Sequence, residues 1–99
     1  MKETVLQLLE TANQKFSLIV NENTVQLTIR TYKGILYCTA HFNDELVEAG
    51  RKAMPNASIF SKRTNTLIGG DFMFRTESGE YPHFSGFMDG KFTLVFIAS

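Results

Sequence analysis

Residues 82–98 read PHFSGFMDGKFTLVFIA, two apolar runs on either side of Asp89-Gly90. That dipeptide between apolar runs is the strongest short-range signal for a β-hairpin. A type I′ turn needs φ > 0 at both central residues, which Asp and Gly tolerate. With this turn, Phe87 pairs with Phe92, Ser85 with Leu94 and His83 with Phe96. One face then carries Phe87, Phe92, Leu94 and Phe96, and the other Phe84, Val95 and Ile97. A strand apolar on both sides is expected to be central and covered on both faces. Residues 91–98 are therefore expected to be the strand on which the domain is built.

Moving back from this hairpin, residues 66–76 read as a strand broken by a bulge at Gly69-Gly70. Residues 57–63 read as another strand, with Thr64-Asn65 as the turn between them. Before these, Asn43 is a good helix N-cap, with Phe42 and Val47 spaced as a hydrophobic staple. Acidic residues (Asp44, Glu45, Glu48) follow the cap and basic ones (Arg51, Lys52) come late, as the helix dipole favours. Residues 43–54 are thus expected to be helical, stopped by Pro55.

Residues 24–42 read as a second hairpin. Val25, Leu27 and Ile29 alternate with Gln26, Thr28 and Arg30, and Lys33-Gly34 forms the turn. This register pairs Ile29 with Cys38, Leu27 with Ala40 and Val25 with Phe42, all apolar, which checks it internally. The chain opens with Val5, Leu8, Leu9, Ala12 and Phe16, spaced as one stripe of a helix over residues 4–16. Thr4 and Gln7 fit a capping box, and a short apolar strand at 17–20 follows. The element order α-β-β-β-α-β-β-β-β predicts one α+β domain over residues 1–99. It is an antiparallel sheet of about five to seven strands with two helices packed on one face.

Composition narrows the function classes. Ten basic and ten acidic residues cancel, so no strong overall field draws nucleic acid or an anionic membrane. No apolar run approaches the ~20 residues of a membrane span. A single cysteine, Cys38, excludes an internal disulfide. With no signal-peptide core at the N-terminus, a cytoplasmic location is expected. Nothing has the spacing of a metal site or a cofactor motif: Asp71, Glu80 and Asp89 fall at turns and strand starts. Gly69-Gly70-Asp71-Phe72 is not followed by the helix a phosphate loop requires. His41 and His83, the only histidines, have no nucleophile elbow or paired carboxylate beside them in sequence. A small enzyme using either His is accordingly the weakest reading, and no catalytic residue is assigned.

A nucleic-acid module is the second reading. Lys33-Gly34-Ile35-Leu36-Tyr37 shares a Lys, a Gly and one aromatic with the RNA-recognition strand motif. An element order opening on a helix does not match that domain, and nucleic acid is disfavoured. The leading reading is a non-enzymatic protein-binding domain, by analogy of type with the small inhibitor, immunity or host-takeover proteins of microbes and phages. Its expected contact surface is the outward face of the 24–42 hairpin, with Arg30, Tyr32, Tyr37 and His41 as partner-binding residues. Tyr and Arg are enriched at interface centres. The expected partner is another protein, or a second copy of the chain.

Overall fold

Three two-residue turns, Asn21-Glu22, Lys33-Gly34 and Asn43-Asp44, organise the first half of the chain in the computed structural model, which describes residues 2–99. Both residues of each turn have φ between 49° and 77°, the sign a type I′ turn requires. They join β2 (Gln14–Val20), β3 (Asn23–Tyr32), β4 (Ile35–Phe42) and β5 (Glu45–Lys52) into an antiparallel four-stranded meander. The β3–β4 register is the one its alternation predicts, with Ile29 opposite Cys38, Leu27 opposite Ala40 and Val25 opposite Phe42.

The remaining strands form a three-stranded antiparallel sheet in the order β1 (Lys2–Leu6), β7 (Thr93–Ala98), β6 (Gly70–Arg75). β7 is central, and Phe96 stands between Thr4 and Phe72. The inner faces of the two sheets meet in one apolar cluster that includes Leu27, Ile29 and Leu36 from one sheet and Phe72, Phe74 and Leu94 from the other. Each fully buried side chain of this size contributes roughly 1.5–3 kcal/mol. That layer outweighs the helix α1 (Lys62–Ile68), whose buried residues are Thr64 and Ile68. The far edge of β6 is covered by residues 55–59: the Asn56 N–H donates to Phe74 O (2.8 Å) and the Ile59 N–H to Phe72 O (3.0 Å).

β7 is also covered on its outer side. Val95 faces away from the core yet is 2% exposed. Glu3 on β1 and Arg75 on β6 form an ion pair across the outer face of this sheet. Glu3 is level with Ile97 and Arg75 with Thr93, so the line joining them crosses β7 at Val95.

This architecture overturns the α+β expectation of two helices packed on one face of a single sheet. The chain is mostly β, with one short α-helix and two sheets. Residues 4–16 are not a helix. Val5 lies on β1, Leu8 is buried in the connecting loop, and Phe16 lies on β2, facing inward with Leu18 and Val20. The Gln14 side chain folds that loop, with Nε2 donating to Leu9 O (2.8 Å) and Oε1 accepting from the Leu9 N–H (3.1 Å). Residues 43–54 are not a helix either. Asn suits a left-handed turn as well as an N-cap, and Asn43 takes the turn, its Oδ1 accepting from the Thr24 N–H (2.9 Å).

Residues 57–63 make only an isolated bridge at Ser58, opposite Met73. Ser61 caps α1, so Thr64-Asn65 lies inside a helix rather than in a turn. Gly69 is the left-handed C-cap of that helix (φ 82°), its N–H donating to Asn65 O, and β6 starts at Gly70 without a bulge. Residues 82–98 do not form a hairpin. Phe84–Gly86 is a single 3₁₀ turn, and Phe87 stacks on Phe74 with centroids 5.7 Å apart and planes 5° from parallel. His83 meets Phe92 edge-on at 4.7 Å instead of pairing with Phe96. Asp89 accepts from the Lys91 N–H (3.0 Å), a local turn that does not fold one strand back on another.

Candidate functional site

The inner face of the four-stranded sheet is filled, and its outer face has no second layer of strands or helix over it. Cross-strand partners share a face, so the registers place Lys15, Ser17 and Ile19 of β2 beside Thr24, Gln26, Thr28, Arg30 and Tyr32 of β3. β4 adds Ile35, Tyr37, Thr39 and His41. Leu46 of β5 lies opposite His41, and Lys52 opposite Tyr37.

All four expected partner-binding residues are on this face. Arg30 and Tyr37 are direct partners across β3 and β4. Tyr32, at the tip, is 62% exposed, and Lys33 Nζ lies 5.4 Å from its ring centroid. His41 stands at the other end, between Gln26 and Leu46, half-buried, with an enclosed Nδ1 that has no hydrogen-bond partner in the chain. The face extends beyond the β3–β4 hairpin to residues that sequence reasoning missed: Lys15, Ile19, Leu46 and Lys52. Lys52 Nζ lies 4.6 Å from the Tyr81 ring centroid. A signal for half of them was present, because Lys15, Ser17 and Ile19 alternate with Phe16, Leu18 and Val20.

Electrostatically this face is one-sided. No carboxylate occupies any of its strand positions, while Lys15, Arg30 and Lys52 do. The β5 carboxylate that could have balanced them, Glu48, points inward to the start of α1. There it accepts from Thr64 Oγ1 (2.5 Å), Ser61 Oγ (3.0 Å) and the Ser61 N–H (3.1 Å), and pairs with Arg51 Nε (3.1 Å). Burial works against its ionisation, but these hydrogen bonds and Arg51 outweigh it and hold the carboxyl below its usual value. Cys38, on the inner face, is wholly buried, and burial pushes its thiol up to about 12.

No constellation with the geometry of a catalytic centre emerges around either histidine. His83 Nδ1 lies 2.7 Å from Ser85 Oγ, but its Nε2 is 3.9 Å from Glu80, beyond hydrogen-bond reach. Glu80 is held instead by Lys91 at 3.0 Å. Two open grooves of about 710 and 720 Å³ lie elsewhere, one beside Arg75 and Lys91 and one between β5 and α1; neither is lined by His41 or His83. Among the described residues no group of three or more His, Cys, Asp and Glu is placed to hold a metal ion. Among the described residues no helix is long and apolar enough to cross a membrane.

Among curated proteins none matches this chain. A family model does, over its whole length: residues 1–99 match the family described as cyanophage baseplate Pam3 plug gp18, a phage structural family. A two-sheet fold with an uncovered, aromatic and basic sheet face therefore belongs, as a sequence, to the cyanophage baseplate plug family.

Proposed function

We propose that the chain is a non-enzymatic component of a phage baseplate, a plug held by protein contacts, and that the outer face of its four-stranded sheet is the surface that docks. The observation that carries this reading is the uncovered face itself, with Arg30, Tyr32, Tyr37 and His41 on one side of a sheet whose other side is fully packed. Arg and Tyr are the side chains that most often anchor interface centres, at about 2 kcal/mol or more each. Family membership favours an assembly role over an inhibitor or immunity role. The test is assembly: Tyr37→Ala and Arg30→Ala in the phage should leave the chain folded but lower its incorporation into baseplates and the yield of infectious particles. Normal incorporation of both folded variants would move the docking surface elsewhere on the molecule.

A second reading, nucleic-acid binding, draws on the cations of the same face and its exposed Tyr32. It predicts binding to a labelled oligonucleotide that falls steeply with salt; a folded chain that binds no oligonucleotide at low salt removes it.

A further inference from the structure

The charges of the four-stranded sheet are sorted along its strands. At the end made by the Lys33-Gly34 turn stand Arg30, Lys33 and Lys52. At the opposite end, made by the two neighbouring turns Asn21-Glu22 and Asn43-Asp44, stand Glu22, Asp44 and Glu45. All six are exposed, and none enters an ion pair among the described residues. The acidic turns are fixed side by side: Asn43 Oδ1 accepts from the Thr24 N–H and its Nδ2 donates to Asn23 Oδ1, both at 2.9 Å. Two of the cations rest on aromatic rings, Lys33 on Tyr32 and Lys52 on Tyr81.

These two ends cannot neutralise each other within one molecule. Tyr32 lies eight residues along β3 from Thr24, roughly 26 Å at about 3.3 Å per residue, against a screening length of about 8 Å in physiological salt. Each end also offers apolar surface beside its charges: Tyr32 at the basic end, and Ile19 (69% exposed) and Leu46 (56% exposed) at the acidic end. Opposing charges stand nearby, Glu80 beside Tyr81 at the basic end, held by Lys91, and Arg63 across a groove from Leu46 at the acidic end, and neither pairs with the six.

A chain of zero net charge with two such ends is complementary to itself head to tail. We propose that copies of this chain associate end to end, the basic, aromatic end of one four-stranded sheet seating on the acidic, aliphatic end of the next. The contact is heterologous, so repetition closes a ring or continues as a stack. It rests on the reading of this sheet as the docking surface and names a second copy as the partner of its Arg30 end.

The test is sedimentation velocity on the purified full chain over a concentration series. Self-association should weaken roughly tenfold or more on moving from low to high salt. Two variants avoid straining the left-handed turn residues: Arg30→Glu with Lys52→Glu at the basic end, and Asp44→Asn with Glu45→Lys at the acidic end. Each should be monomeric alone, with an unchanged far-UV circular dichroism melt. Mixed one to one they should form dimers through the two ends left intact. A wild-type chain that stays monomeric at every salt concentration overturns the proposal, as do variants that associate like wild type or pair no better mixed than alone. A monomeric wild type that binds a fluorescent oligonucleotide overturns it in favour of a phosphate partner. If self-association is absent while Tyr37→Ala still blocks baseplate incorporation, the docking reading stands and the end-to-end contact falls.

Discussion

Gly70 lies directly against the ring of Phe96. A Cβ built on Gly70 would stand 2.7 Å from Phe96 Cε1 and 2.8 Å from the carbonyl oxygen of Ile97. At the first strand residue after the helix cap, a side chain would thus collide with both the ring and the backbone of the central strand β7. The ring cannot retreat freely, because the Phe72 ring is tilted against it with centroids 4.9 Å apart.

Gly70→Ala should therefore destabilise the fold, although alanine is otherwise the milder residue in a strand. Overpacking of this kind costs roughly 1–3 kcal/mol, and backbone is one of the obstacles here, which favours the upper half of that range. The midpoint of urea unfolding measures it; a midpoint equal to wild type would mean that the ring has room to move.

Phe96→Ala tests the same contact from the other side. Removing the ring leaves a void between Phe72 and Thr4 in the middle of the three-stranded sheet, and such truncations cost about 3–5 kcal/mol. That is a large share of the 5–15 kcal/mol typical of a small domain. A small shift in the denaturation midpoint would show that β7 does not anchor this sheet.

Cys38 should react slowly with a thiol reagent in native buffer and rapidly in denaturant, since the thiolate is the reactive form and burial holds the native thiol near 12. The raised native value also sets the sign of a pH effect. The folded state keeps a proton that the unfolded chain, near 8.5, gives up, so this contribution is intact below about pH 8.5 and is lost as pH rises above it. Fast labelling under native conditions would contradict the β3–β4 register, because a one-residue slip would expose the sulfur.

Glu48 gives the opposite dependence. Its native pKa is depressed, so the stability from its contacts with Ser61, Thr64 and Arg51 is present above the ordinary value of about 4.3 and lost as pH falls through the native value. Glu48→Gln keeps a carbonyl acceptor but loses the charge. It should cost about 1–2 kcal/mol at neutral pH and flatten the loss of stability below pH 4.3. Thermal melts from pH 3 to pH 7 would check both; identical acid limbs for variant and wild type would remove Glu48 as the cause.

The legible part of this sequence is the part where two signals agree. In residues 24–42 the alternation and the turn spacing independently require the same register, and the structure has it. The same logic was available for Asn43-Asp44, but Asn serves helix caps and left-handed turns alike. The charges after it suit a helix start as well as a surface strand. Residues 4–16 mislead differently: Leu8 is buried in a tight loop, Phe16 is half-buried on one strand and Val5 stands exposed on another, and their spacing imitates a helical stripe. In the C-terminal stretch, Phe84 and Phe87 pack between the sheets from a turn, and apolar content alone does not say which backbone delivers a ring to the core. Of the docking face, the β3–β4 half was legible and the flanks were not, because β2 and β5 were read as parts of other elements.

The three-stranded sheet can grow on one side only. Beside β6 the backbone is already taken up by residues 55–59, whereas among the described residues no strand pairs outside Lys2–Leu6. An incoming strand laid there would be read at once by the last strand of the chain, since β1 and β7 are neighbours over five residue pairs. Lys2 and Glu3 act as gatekeepers on that open rim, discouraging chance polymerisation of the kind bare edges invite. A strand laid there would have to bring charge opposite to Lys2, because Glu3 is already held by Arg75.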